Sequence, residues 1–332
     1  MQLRNLGQNG TLVSPIGIGA MSFSDFYGPV EESGSHAILE CGLEMGINHI
    51  DTSYVYGLGE SERVIGSFLQ AHPDARSRFH IATKAAITRD AKGNRIFDNS
   101  VTHLETELEK SLTWMGVEQV DLFYVHRRDS DLPIEEVTEN LAHLVRSGKT
   151  RAIGFSEIAP SNLRRAAAVH PIAAVQSEYS LSTRSPELGL VQTCAELGTA
   201  LVAFSPLGRS LLTDNPLSRD AISDLPFLAG NPRFTEPNLS ANLDLTDRFR
   251  KLAAEMQTPA AALAIAWLLH QGDHVIPIPG TRSVAHFREQ AAGMDLTLSP
   301  DDLNRIAQVL PVGWAHGDRY SQDQWVGPER YC

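Results

Sequence analysis

The sequence predicts a closed parallel α/β barrel, and three observations carry that expectation. Short β-branched apolar runs alternate with amphipathic stretches along 332 residues. No Gly/Ser/Pro-rich linker, internal repeat or composition break divides the chain, so residues 1–332 read as one barrel domain. Polar residues with catalytic chemistry follow several of the apolar runs, as they do where strand ends gather at one mouth. Strands are expected at Ile16–Gly19, Ile47–Asp51, Phe79–Thr83, Val120–Val125, Thr150–Phe155, Ala174–Gln176, Ala200–Ala203 and His274–Ile278. Helical patterns run near Glu32–Met45, Glu60–Gln70, Ser100–Trp114, Pro133–Ser147, Ser161–Val169, Glu187–Leu197, Thr258–His270 and Ser283–Ala292. Stretches 242–257 and 301–309 add two more helices.

Strands separated by helices pair in parallel, which leaves an open doubly wound sheet or a closed barrel. Eight strand–helix units in this length favour the barrel. Leu3–Val13, with Asn9–Gly10 as its turn pair, reads as a hairpin that plugs the barrel base. Helix starts are marked at Ser161 after Pro160, at Thr258–Pro259 and at Ser299–Pro300. The stretch 208–240 is rich in Pro, Asn, Asp and Arg and weakly periodic. Together with the tail 311–332 it is a candidate cover for the mouth.

Apolar residues make up 42% of the chain, enough for a sizeable core. No apolar run approaches the roughly 18 residues that a membrane span needs, and MQLRNLGQNG lacks the apolar centre of a signal peptide. Three widely spaced cysteines, Cys41, Cys194 and Cys332, suit a reducing compartment, so a cytoplasmic, soluble protein is expected. A net charge of −12 with no Lys/Arg run argues against a nucleic-acid partner.

The chemistry concentrates in four residues: Asp51 and Tyr56 in IDTSYVYG, Lys84 in HIATKAA and His126 in DLFYVHRRD. Singly, each has a plainer reading as a cap, a packed ring or a surface group. On neighbouring strand ends they become a set. Tyrosine titrates near 10 in water, so a nearby Lys84 ammonium is expected to lower that value, with Asp51 holding the lysine. His126 would hydrogen-bond the substrate oxygen, and the group would polarise a carbonyl. Such a set supplies no reducing equivalents and requires a hydride donor.

No G-x-G-x-x-G follows a strand, since Gly17–Ile18–Gly19 runs into Ala20–Met21–Ser22. Gly280, Thr281, Arg282 and Ser283 open a helix after the last strand instead. Backbone N–H groups, hydroxyls and a guanidinium there suit a phosphate, and a simple helix cap fits the same residues equally well. The remaining histidines form no metal-ligand pattern, so no metal is expected. Phe23, Phe26, Tyr27, Trp314, Tyr320 and Trp325 read either as a substrate wall or as a tail packed on the barrel.

From about Ile16 to Asp295 the chain resembles the aldo-keto reductases, on the strings GINHIDTSYVYG, VHRRD, VQSEYS, FSPLGRS and IPIPGTRS in the family's order. The resemblance implies a (β/α)8 barrel with Asp51, Tyr56, Lys84 and His126 as catalytic tetrad and the tyrosine as general acid. It implies that Arg282 and Ser283 hold the 2′-phosphate of NADP(H), more readily than NAD(H) is held, with Glu289 near the adenine and Gln290 beside it. Ser205, Leu207 and Arg209 would meet the pyrophosphate, Phe204 would stack under the nicotinamide, and Ser156 and Gln176 would bind its carboxamide. Many relatives have Asn, Tyr, Arg and Asn where this chain has Glu157, Phe204, His286 and Gln290. The implied substrate is a small carbonyl or alcohol. Two other readings stand beside it: a cofactor-binding regulatory subunit, as in the family's potassium-channel subunits, and a lyase or isomerase using Lys84 as a Schiff-base amine.

Overall fold

The structure is a computed structural model that describes residues 2–8 and 10–331. Asn9 of the expected turn pair and Cys332 lie outside the described residues. A hairpin of β1 (Arg4–Leu6) and β2 (Thr11–Val13) leads into β3 (Ile18–Gly19), β4 (His49–Asp51) and β5 (His80–Ala85). A second hairpin, β6 (Ile87–Arg89) and β7 (Arg95–Phe97), follows. The chain then adds β8 (Leu122–Val125), β9 (Ile153–Ser156), β10 (Ala174–Glu178), β11 (Ala200–Phe204) and β12 (Val275–Pro277). Around them lie α1 (Glu32–Glu44), α2 (Glu60–Ala71), the short α3 (Ala75–Arg78), α4 (Val101–Met115), α5 (Ile134–Arg146), α6 (Pro160–Val169) and α7 (Leu190–Leu197). The short α8 (Arg219–Ser223) and α9 (Pro226–Ala229) precede α10 (Asn238–Glu255), α11 (Ala260–Leu269), α12 (Val284–Ala291) and α13 (Pro300–Val309).

All eight expected strands are present and run parallel in the order β3-β4-β5-β8-β9-β10-β11-β12. The ends of that row meet. Gly17 and Gly19 donate to the carbonyls of Pro277 and Pro279 at 2.8 and 2.9 Å. Prolines have no N–H to return, so this seam carries bonds in one direction only. A Cβ on Gly19 would sit 2.6 Å from the Ile278 carbonyl oxygen. The Gly17-x-Gly19 pattern is therefore a device for bringing the first and last strands together.

Strand parity sorts the core into two clusters. Ile50, Ile81, Phe123 and Val175 face the helices, while Ala82, Leu122, Tyr124, Ala174, Ala200, Val202 and Ile276 pack inside the barrel. Leu6 and Val13 of the first hairpin join the inner cluster, so the hairpin plugs the base as expected. Its loop is longer than the two-residue turn read from Asn9–Gly10, because Leu6 pairs with Thr11.

Two helix starts differ from their sequence signals. Pro160 itself occupies the first turn of α6 behind Ala159, so Ser161 lies inside the helix and does not cap it. At α11 the Thr258 hydroxyl plays no capping part; the Ala260 N–H donates to Asp214 at 3.0 and 3.2 Å, from far along the chain. Ser299 does cap α13, in a reciprocal pair with Asp302. The stretch 208–240 is ordered, holding α8, α9 and a one-turn helix Pro232–Phe234 around a core of Leu211, Ile222, Leu228, Phe234 and Leu239. No single described helix is long and apolar enough to cross a membrane.

Candidate active site

Inner parity places the chemistry. Two residues beyond inward-facing Ala82, Tyr124 and Ala174 come Lys84, His126 and Gln176; Asp51 follows outward-facing Ile50. Each side chain thus projects into the barrel one layer above the apolar plug, at the carboxyl ends of the strands. Tyr56 reaches the same layer from the loop before α2. The four residues expected to act together are brought together.

Lys84 is fully buried, with its ammonium on Asp51 Oδ1, on the Thr52 carbonyl at 2.7 Å and on the Tyr56 hydroxyl at 3.3 Å. The other Asp51 oxygen accepts from Gln176 Nε2 at 2.7 Å. Burial pulls the Lys84 pKa down, but Asp51 and Tyr56 outweigh it and the net shift is upward. A permanently charged amine is no Schiff-base nucleophile, so this placement does not favour the lyase reading. Tyr56 departs from expectation: its pKa is raised, because burial outweighs the nearby Lys84. Asp51 also opposes the lysine there, because its negative charge disfavours a neighbouring phenolate.

His126 is 8% exposed, and its ring stands edge-on to Tyr56 with centroids 6.0 Å apart. Burial, followed by Arg127, Lys84 and Arg95, holds its pKa well below the ordinary value, so the imidazole is neutral near pH 7. Nδ1 lies 3.2 Å from the Ser53 hydroxyl, which is also 3.1 Å from the Lys84 carbonyl. Ser53 belongs to the IDTSYVYG motif, and its only sequence signal is its place between Asp51 and Tyr56.

A cavity of about 1020 Å³ opens over these groups, at the upper end for a single small ligand. Ser156, Gln176, Phe204, Ser205, Leu207, Arg209, Gly280, Thr281, Arg282, Ser283, Glu289 and Gln290 all line it. Several are already engaged. The Ser283 hydroxyl caps α12 by accepting the His286 N–H at 3.4 Å, and Ser156 Oγ accepts from Arg127 at 3.0 Å. Arg209 is bidentate to buried Glu178 at 3.0 and 2.7 Å. Arg282 donates to the Pro29 carbonyl at 3.1 Å and has no carboxylate partner among the described residues. Gln290 is buried with Oε1 unpartnered. A guanidinium outside any ion pair, an unpaired amide oxygen and a close-packed Gly280 fit a phosphorylated nucleotide.

Glu157 explains one departure from the family pattern. It stands at φ +58°, where Asn is favoured, and its carboxylate is held by Arg319 of the tail, Ser177 Oγ and the Glu178 N–H. Phe26, Tyr27 and Tyr320 of the aromatic set line the cavity, whereas Phe23 and Trp314 are core. The set thus divides between the cavity wall and the packed core.

A closed parallel barrel with Asp, Tyr, Lys and His gathered under a dinucleotide-sized cavity defines a class of carbonyl oxidoreductase. A protein-family model described as the Aldo/keto reductase family matches residues 15–311. Over 95% of its length the chain is 36% identical to "Probable aldo-keto reductase 1" of Glycine max, covering 90% of that protein. It is 34% identical over 93% of its length to "Aldo-keto reductase yakc [NADP(+)]" of Schizosaccharomyces pombe, covering 92% of it. The solved glycerol dehydrogenase AKR11B4 from Gluconobacter oxydans superposes with a TM-score of 0.80 at 27% identity, covering 93% of this chain and 94% of that one. The chain belongs to the aldo/keto reductase family. It is an oxidoreductase, of a family whose general reaction is NADP-dependent carbonyl reduction.

Proposed function

We propose that this chain, acting as one barrel unit over residues 1–332, reduces an aldehyde or ketone to its alcohol with NADPH, and reverses the reaction with NADP⁺. Tyr56 is the proton donor. The observation that carries this reading is the Lys84 ammonium 3.3 Å from the Tyr56 hydroxyl, itself fixed by Asp51. With its pKa raised, Tyr56 is a protonated acid at neutral pH; as it gives up its proton, the developing phenolate gains Lys84 as counter-charge. Asp51 and the Thr52 carbonyl prevent the lysine from turning away. Neutral His126 orients the carbonyl oxygen from Nε2. Bound NADPH supplies the hydride.

Gly280, Thr281, Arg282 and Ser283 hold the 2′-phosphate in this reading, with Glu289 and Gln290 at the adenine. Ser205, Leu207 and Arg209 face the pyrophosphate, Phe204 the nicotinamide ring, and Ser156 and Gln176 its carboxamide. Ser205 and Arg209 stand at φ +49° and +54°, strain of the kind that collects at binding loops. Arg282 favours NADPH over NADH.

Tyr56→Phe tests the assignment. NADPH consumption with an aldehyde should fall by about 10²–10⁴-fold, the worth of a positioned general acid, while NADPH fluorescence still reports binding. Undiminished turnover in that variant would remove Tyr56 from the chemistry.

A further inference from the structure

Across the mouth from the phosphate-binding end, two guanidiniums make no ion pair among the described residues. Gly280–Ser283 follow β12, whereas Arg95 lies on β7, after β5, and Arg127 follows β8. In the closed order of the strands, β5 and β8 stand roughly opposite β12. The two arginines therefore occupy the other end of the cavity, which both line together with Tyr56 and His126. Neither makes an ion pair among the described residues, and the carboxylates around them are spent: Asp51 on Lys84, Glu157 on Arg319, and Glu329 on Arg128.

Both are held in place by neutral groups. Arg127 donates to the His126 carbonyl at 2.6 Å and to Ser156 Oγ at 3.0 Å. Arg95 donates to the Val326 carbonyl of the tail and stacks on Phe97, 5.3 Å from its centroid. Each lowers the pKa of His126, which places both within electrostatic reach of the reacting centre. Two like charges fixed beside each other in a chain of net charge −12 are costly, and an anion between them relieves the cost. The nicotinamide carboxamide expected near Ser156 is neutral and leaves both charges standing.

We propose that Arg95 and Arg127 form an anion subsite that selects carbonyl substrates carrying a carboxylate or phosphate a short distance from the reacting carbon. This rests on the carbonyl reduction proposed above. Planar guanidiniums match both anions in bidentate geometry, so the shared chemistry is a tetrahedral or planar oxyanion. Phe26, Tyr27 and Tyr320 supply the apolar wall for the carbon skeleton between the two ends.

The test compares kcat/KM with NADPH for matched aldehydes: 4-formylbenzoate against its methyl ester, and glyceraldehyde 3-phosphate against glyceraldehyde. The native enzyme should favour an anionic member about 10-fold, and whichever pair shows it identifies carboxylate or phosphate. Arg95→Gln should cut that ratio several-fold and Arg95→Glu should invert it. Arg95 sits on an exposed hairpin, so neither substitution disturbs the core. Arg127→Gln should lower the same ratio. Equal rates within both pairs, or ratios that no substitution moves, would overturn the subsite while leaving carbonyl reduction intact. Failure to reduce any of the four aldehydes would overturn both.

Discussion

Ser53 has one hydroxyl proton and two acceptors for it, the Lys84 carbonyl at 3.1 Å and His126 Nδ1 at 3.2 Å. The choice sets the tautomer of a neutral imidazole. If Ser53 donates to Nδ1, the ring proton sits on Nε2, where it can donate to a carbonyl oxygen; the alternative leaves Nε2 as an acceptor. The proposed mechanism requires the first arrangement, so Ser53 is a positioning residue. Ser53→Ala should lower kcat for aldehyde reduction by about 5–10-fold, the worth of one modest hydrogen bond, with little change in KM, and Ser53→Thr should restore it. An unchanged kcat in the alanine variant would show that Ser53 does not set the ring. At the same scale, Glu157 was visible in the sequence as a departure, yet its partner was not. Arg319 is 162 positions away, and no local pattern joins them.

The elements were unequally legible. The eight barrel strands stood out because both faces of a parallel barrel strand are buried, which writes a continuous apolar run into the sequence. Helix phases followed from their apolar stripes. The β6–β7 hairpin went unseen because ITRDAKGNRIF lies outside the barrel, exposed or half-buried throughout, and so carries no alternation. The tail was equally opaque, since electrostatics anchor it: Arg319 reaches Glu157 and lies 3.6 Å from Glu178, while Glu329 accepts from the Ala159 N–H and Asn162 at 2.7 and 2.8 Å. The carboxylate of Glu178 is buried among Arg209, Arg319 and Arg233, which hold its pKa down at about 2 against the cost of burial. Removing one partner of such a set exposes an uncompensated buried charge. Arg319→Met should therefore cost about 3–5 kcal/mol in urea unfolding and open the chain beyond Pro311 to limited proteolysis. A tail that stays protease-resistant would place its anchor at Glu329 instead.

Across the whole molecule, buried histidines and one buried carboxyl pull stability in opposite directions as the pH falls. His49, both of whose ring nitrogens are unpartnered, has its pKa lowered by burial from 6.5 to about 4, and burial also depresses His126. Such histidines contribute fully above the unfolded value of 6.5, and the contribution is lost as pH falls below it. Glu62, a buried residue of α2 that accepts from Thr83 of β5, behaves oppositely: burial raises it from 4.5 to about 7, so its neutral form favours the fold at low pH and its ionisation opposes it as pH rises. Between pH 4.5 and 6.5, unfolding takes up protons on His49, His126 and the likewise depressed His274 and releases one from Glu62, so the histidines outweigh the carboxyl. Stability from these groups should thus rise with pH by about 1.4 kcal/mol per unit for each net proton. Glu62→Gln keeps an oxygen to accept the Thr83 hydroxyl, now 2.5 Å from Oε1, and removes the opposing proton. In that variant the opposing release is gone, so the unfolding free energy measured across this window should fall toward acid more steeply than in the native chain. Identical slopes would mean that Glu62 is already ionised inside the folded barrel.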